Sequence, residues 1–136
     1  MSHKAFFDGS CFLHHCGIGY VIRDSSGVPV FEAAEFVGRG DALKAEYLAL
    51  RACLDRLDVL GIDEAVIHGD SRTVVGQVKG QINTRERNRF REAIMQIRRL
   101  FTDHPSWQLK WIPRGENGKA DSLATEGLSA RQERQA

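Results

Sequence analysis

Three stretches of period-two alternation come before any helical periodicity, and that order constrains the fold of this chain more than any other feature. Ala5-Phe6-Phe7-Asp8, Ile18-Gly19-Tyr20-Val21-Ile22 and residues 28–37 each read as a strand. Parallel neighbours need a crossover of a dozen or more residues, so strands this close together open the chain as a meander. Between the second and third lies Asp24-Ser25-Ser26-Gly27, dense in turn formers, which predicts an antiparallel hairpin.

Only then does the period change. Asp41 is placed to cap a helix along which Leu43, Tyr47, Leu50, Leu54 and Leu57 recur on one face, with Gly61 at its end. Residues 64–68 form a short apolar strand, and residues 71–79 a brief helix stopped by Gly80. Thr84 is the expected cap of a longer helix with Phe90, Ile94, Ile97 and Phe101 on its apolar face, closed by His104-Pro105. Residues 107–112 alternate as a last strand, 113–117 form a loop, and Ala120, Leu123, Ala124 and Leu128 stripe a final helix. The order βββαβααβα predicts an α/β fold: a mixed five-stranded sheet, its second strand antiparallel, with helices on both faces. Residues 1–129 are expected to form one domain, and the apolar-poor tail 130–136 to fray.

Size and composition agree with one globular domain: 136 residues, 42% hydrophobic and 27% charged. A net charge of +1 argues for no partner by itself, so any electrostatic argument rests on how charge is distributed. Three cysteines, Cys11, Cys16 and Cys53, are an odd number in a chain without an apolar leader, which argues against secretion and a disulfide framework. The cytoplasm is the expected compartment and a monomer the expected state. No apolar run approaches the ~20 residues a membrane-spanning helix requires.

Four carboxylates stand in apolar company, where acids are rare unless paired or bound to a cation. Asp8 follows Phe6-Phe7 and is read as ending the first strand; Asp70 follows the Ala65-Val66-Ile67 strand. Glu46 falls on or beside the buried stripe of its helix, three residues after Leu43 and four before Leu50. Asp121 lies in the first turn of the last helix. Taken singly, Asp8 suits a turn, Asp70 a helix cap and Asp121 a dipole partner. Taken together, they converge on the carboxyl edge of the sheet, where ligands collect in α/β folds. Four acids without counter-charge repel, and an oxygen-only set suits Mg²⁺ or Mn²⁺. Two such ions ~3.5–4 Å apart clamp the attacking and leaving oxygens of a phosphodiester displacement.

Phe7-Asp8-Gly9-Ser10, Lys44-Ala45-Glu46-Tyr47-Leu48-Ala49-Leu50, Gly69-Asp70-Ser71 and Trp111-Ile112-Pro113-Arg114, leading to Asn117 and Lys119-Ala120-Asp121-Ser122-Leu123-Ala124, resemble type 1 ribonuclease H, nearest its short bacterial and archaeal branch. The resemblance covers nearly the whole chain in order. It implies the ribonuclease H-like fold and a Mg²⁺-dependent endonuclease, with Mn²⁺ as substitute, that cuts the RNA strand of an RNA–DNA hybrid. Cleavage with two ions leaves 5′-phosphate and 3′-hydroxyl ends. The catalytic and metal-binding acids map onto Asp8, Glu46, Asp70 and Asp121. Arg114 stands where many members carry a loop His; an Arg is no proton shuttle, so contact with phosphate or help to product departure is its expected role. Nucleic-acid contacts are expected from Gly9, Ser10, Ser71, Arg72, Lys79, Arg85, Arg87, Arg91 and Asn117. Double-stranded RNA is a further candidate substrate.

Two segments depart from the family pattern. Where members run through a small polar stretch with Asn-Pro-Gly, this chain has Cys11-Phe12-Leu13-His14-His15-Cys16-Gly17, and Asp41-Ala42-Leu43 replaces polar residues before the helix Glu. Cys11, His14, His15 and Cys16 lack the two-pair separation of a structural zinc site and read as ordinary loop residues, with a Cys11–Cys16 disulfide open on isolation in air. Residues 79–99 hold seven basic residues against two acidic ones, a net +5 that leaves −4 for the remainder. Such runs are often only solvated faces. Here the run lies beside the helix after Asp70, where the family lays the DNA strand, and phosphate neutralisation there makes binding fall with salt.

Overall fold

A computed structural model of the chain describes residues 2–82 and 89–135, with side chains as far as residue 130. Its elements are β1 (His3–Phe12), β2 (His15–Arg23), β3 (Pro29–Arg39), α1 (Ala42–Val59), β4 (Ala65–Gly69), α2 (Arg72–Val78), α3 (Arg91–Asp103), β5 (Trp107–Trp111) and α4 (Gly118–Gln135). The sheet runs β3-β2-β1-β4-β5. β2 is antiparallel to both β1 and β3, whereas β4 is parallel to β1 and β5, as the order of periodicities implies. Among the described residues no helix is long and apolar enough to cross a membrane.

Local chemistry accounts for the boundaries that position the site. The β2–β3 turn closes on Asp24, whose side chain accepts from the N–H groups of Ser26 at 2.9 Å and Val28 at 3.0 Å, with Gly27 at φ 86°. Asp41 caps α1 by accepting from the Lys44 N–H at 3.0 Å. At the far end the Gly61 N–H donates to Asp58 and that of Ile62 to Leu57, both at 3.0 Å, the paired bonds of a Schellman stop. The helix buries Tyr47, Leu50, Leu54 and Leu57 against Phe7, Ile22 and Ile67 of the sheet and Ile94 and Ile97 of α3.

Alternating glycines set the depth of the helices on the two faces. Gly9 pairs with Ile18 across β1 and β2, and a Cβ at Gly9 would lie 2.6 Å from the Ala45 carbonyl carbon of α1. Gly17 and Gly19 therefore present the other face, where a Cβ on either would collide with the backbone of α4 near Ala124 and Leu128.

Two boundaries differ from those expected. β1 does not stop at Asp8 but pairs with β2 as far as Phe12↔His15, leaving only a two-residue turn between the strands. Gly9, Ser10 and Cys11 are small, so their alternation carries no hydropathy signal. Next, α3 begins at Arg91 with Phe90 at its N-cap and no capping side chain, whereas the expected cap, Thr84, lies outside the described residues. α4 runs from Gly118 to Gln135.

Candidate active site

Strand register brings two of the acids together. β1 and β4 pair in parallel only as far as Phe6↔His68, and each strand presents its acid two residues further on, Asp8 and Asp70. Asp8 is thus within β1, still paired to Gly19 of β2, and not at the strand's end as expected; it is β4 that stops. The open edge left by β4 is where the site forms. From above the sheet, α1 delivers Glu46, and the closeness allowed by Gly9 lets the Gly9 N–H donate to Glu46 Oε1 at 3.2 Å. Asp121 arrives in the first turn of α4, its N–H donating to the Asn117 carbonyl at 3.0 Å.

Asp8, Glu46 and Asp70 each offer a carboxylate oxygen within 4.8 Å of the others. Asp8 is 4% and Glu46 8% exposed. Burial pushes the Asp8 carboxyl up to about 6, with the charges of Asp70 and Asp121 adding to the rise against a lowering contact from Glu46. Burial raises Glu46 further still, reinforced by Asp8 beside it. Glu46 consequently keeps its proton at neutral pH unless a cation replaces it. Its Oε2 is buried and bonded to nothing else. An orphaned buried oxygen amid an oxygen-only set fits a hard divalent cation such as Mg²⁺ or Mn²⁺.

Two residues hold Asp70 in place. Asn117 is 1% exposed, and its Nδ2 donates both to Asp70 Oδ2 and to the Phe7 carbonyl, each at 2.9 Å. Expected to contact nucleic acid, Asn117 is instead sealed beneath the acids and ties α4, β1 and Asp70 together. Trp111, which the sequence did not single out for the site, donates from Nε1 to the Asp70 carbonyl at 3.0 Å. Arg72 stacks its guanidinium 3.8 Å over the Trp111 ring, and Ser71 caps α2, its Oγ accepting from the Val74 N–H at 3.2 Å. Both are engaged at this edge without lining the acid cavity.

That cavity, about 280 Å³, takes in the four acids with Gly9, Ser10 and exposed Arg114, and also Cys11 and Ala42, which the sequence did not assign. Lys79 and Arg91 lie exposed at the C-cap of α2 and the start of α3. Arg85 and Arg87 fall outside the described residues. Two other members of the basic run serve the fold: Arg98 donates from Nε to the Val78 carbonyl at 3.2 Å and from Nη2 to that of Gln77, tying α3 to the end of α2. Arg89 pairs with Asp41 at the start of α1.

A meander-first mixed sheet with acids at the open end of its central strands defines the ribonuclease H-like class. A family described as reverse transcriptase-like matches residues 6–127. The "Ribonuclease HI" of Halobacterium salinarum is 32% identical over 126 residues, 91% of this chain but 63% of that protein's length. The crystal structure of its RNase H1 superposes with a TM-score of 0.88 at 31% identity, covering 96% of this chain and 99% of that one. LC11-RNase H1, crystallised in complex with an RNA/DNA hybrid, gives 0.87 at 26% identity, covering 96% and 99%. A bifunctional protein of Mycobacterium tuberculosis is 30% identical over 115 residues, 84% of this chain and 31% of its own. The chain belongs to the reverse transcriptase-like family of ribonuclease H domains, with its similarity to the type 1 branch.

Proposed function

We propose that this protein is an endonuclease that hydrolyses the RNA strand of RNA–DNA hybrids, using two Mg²⁺ ions, or Mn²⁺ in their place, and leaving 5′-phosphate and 3′-hydroxyl ends. The observation that carries the proposal is the convergence of Asp8, Glu46 and Asp70, each with a carboxylate oxygen within 4.8 Å of the others, together with a buried Glu46 oxygen that has no hydrogen-bond partner and Asp121 in the same cavity. When bound, the ions would supply charge for the developing phosphorane oxygens and lower the pKa of the attacking water.

The protein's own residues do the rest. Asp8, Glu46, Asp70 and Asp121 would hold the ions, and Glu46 gives up its proton as they enter. Asn117 keeps the Asp70 carboxylate from rotating away, and Trp111 fixes its main-chain carbonyl. Arg114, on the cavity wall, is placed to take a non-bridging phosphate oxygen. Water oxygen bonds to phosphorus while the bond from phosphorus to O3′ breaks, and the departing O3′ takes a proton. Lys79, Arg91 and Arg72 line the approach as phosphate contacts, which position a duplex without reading its sequence. The halobacterial and LC11 relatives, by their names and the bound hybrid, support the same reading.

The test is cleavage of an end-labelled RNA–DNA hybrid with Mg²⁺, with RNA alone and double-stranded RNA in parallel. Internal cuts in the hybrid RNA that EDTA abolishes are expected; inertness on the hybrid with both Mg²⁺ and Mn²⁺ refutes the proposal.

A further inference from the structure

The turn joining β1 to β2 is built from residues ill suited to it. Leu13 and His14 stand at φ 49° and 63°, the left-handed conformation that a two-residue hairpin normally assigns to Asn and Gly. Leu13 is also 72% exposed, and Phe12 before it 68%. The tip is held by the β1–β2 ladder as far as Phe12↔His15, by a backbone bond from Gly40 N–H to the His14 carbonyl at 2.9 Å, and by a disulfide immediately behind the turn. It joins Cys11 and Cys16, directly opposed across the hairpin with Cα atoms 4.1 Å apart, a pairing the sequence left open beside the reading as ordinary loop residues.

Cys11 lines the acid cavity next to Ser10, and Phe12 at the tip follows it directly in the chain. Cys16 is sealed at 1% exposure, whereas Cys11 is half-buried and open to attack. Cys53, the remaining cysteine, is fully buried within α1, where burial raises its thiol far above the usual value. Thiol exchange therefore has a single accessible pair.

We propose that the Cys11–Cys16 disulfide is a redox-controlled clamp on substrate binding. Oxidised, it holds Phe12 and Leu13 as a rigid apolar ridge beside the acids, packed on the sugars of the bound hybrid; reduced, it releases the strained turn and the hybrid is held more weakly. The inference rests on the hybrid-cleaving function above. The co-reactant is a low-molecular-weight thiol: its thiolate attacks Cys11 Sγ, the S–S bond breaks, and Cys16 leaves as a thiolate that takes up a proton. A second thiolate attacks the small-thiol sulfur of the mixed disulfide, freeing Cys11 and forming the small disulfide. Two electrons pass from the thiols to the cystine. A loosened tip must be re-ordered on binding, which costs a factor of about two to ten in affinity for each rotamer-rich side chain.

The experiment compares the oxidised protein with protein reduced in dithiothreitol. Alkylation and mass measurement should show two thiols appearing together while Cys53 stays unlabelled, and amide exchange at residues 12–15 should quicken. Binding of a labelled hybrid in EDTA should weaken about five-fold on reduction. Cys11→Ser with Cys16→Ser should behave as the reduced protein under both conditions, and adding His14→Gly, which suits the left-handed position, should recover part of the loss. Equal affinity in the two redox states overturns the clamp and leaves hybrid cleavage standing. No hybrid binding in either state overturns the clamp, while the function is decided separately by cleavage of the hybrid with Mg²⁺ or Mn²⁺. Should the double variant fail to fold, the wild-type comparison alone decides.

Discussion

Replacing Asp8 by Asn should make the metal-free protein more stable while abolishing cleavage. The carboxyl is 4% exposed and titrates at about 6 instead of 3.8. At about 1.4 kcal/mol per pH unit, ionising it inside the fold costs ~3 kcal/mol, and water reaching an empty site reduces that to ~1–3 kcal/mol. Because the folded values of Asp8 and Glu46 lie above the unfolded ones, protonation stabilises the native state fully below about pH 4 and progressively less as pH rises. The Asp8 share is lost by about pH 6, and that of Glu46 continues to fall above neutrality. Asp8→Asn removes the first of these costs and, by removing a charge beside Glu46, part of the second. For a chain of this size ~1–3 kcal/mol corresponds to a Tm rise of ~4–10 °C. The assay is calorimetry in EDTA at pH 5 and pH 7.5, repeated with Mg²⁺. Wild type should melt lower at pH 7.5 than at pH 5 without metal and recover with Mg²⁺, whereas the variant should be less sensitive to both. A variant that melts at or below wild type in EDTA at pH 7.5, or that keeps cutting the hybrid, refutes the reasoning.

The helices over the site were legible because their signals are local. Asp41, the Leu43-to-Leu57 stripe and Gly61 mark α1 within one window, and each does in the structure what its residue type dictates. The second half of β1 was not legible, since Gly9, Ser10 and Cys11 are small for reasons that lie elsewhere in the chain. Gly9 makes room for α1, and Cys11 answers Cys16 across the sheet. Gly17 and Gly19 look like weak strand residues until α4, more than a hundred residues later, lies on them.

Much the same division runs through the site. An acid at the end of an apolar run is conspicuous, so Asp8, Glu46, Asp70 and Asp121 stood out as types in the wrong company. What put Asp8 at an open edge while still inside a strand was the early stop of β4 beside a β1 that stays paired to β2, a matter of register that no single segment encodes. Asn117 hydrogen-bonds an acid 47 residues away. Trp111 does the same for a carbonyl 41 residues away, and nothing periodic announces either. The basic run illustrates the opposite error: counted along the chain it is one patch, yet Arg98 and Arg89 spend their charge on a helix end and on Asp41.

The remaining predictions concern the frame and the approach to the acids. Gly19→Ala should cost more than ~3 kcal/mol, because its Cβ meets α4 backbone that cannot yield; a Tm within ~3 °C of wild type contradicts the packing. Asn117→Ala should lower single-turnover cleavage ~10–100-fold by freeing Asp70, with hybrid affinity in EDTA unchanged; a loss in affinity alone returns Asn117 to the binding surface. Lys79→Ala with Arg91→Ala should lower the salt slope of hybrid binding by about 1–2, and an unaltered slope moves the duplex off this face. Arg114 distinguishes charge from proton transfer. It projects from a 3-10 turn, Arg114–Glu116, onto the wall of the cavity that also holds the four acids, where a bound phosphate is its natural counter-ion. A guanidinium carries its charge throughout the pH range in which the protein folds, so its contribution is electrostatic and constant with pH. Arg114→Lys should keep part of the activity and Arg114→Ala lose ~10–100-fold, about 1.4–2.7 kcal/mol of barrier. Arg114→His should introduce an inflection in the pH–rate profile that the parent lacks. If the parent already inflects near pH 6.5 and Arg114→Ala abolishes the inflection, Arg114 supports a proton-transfer path and the electrostatic account fails.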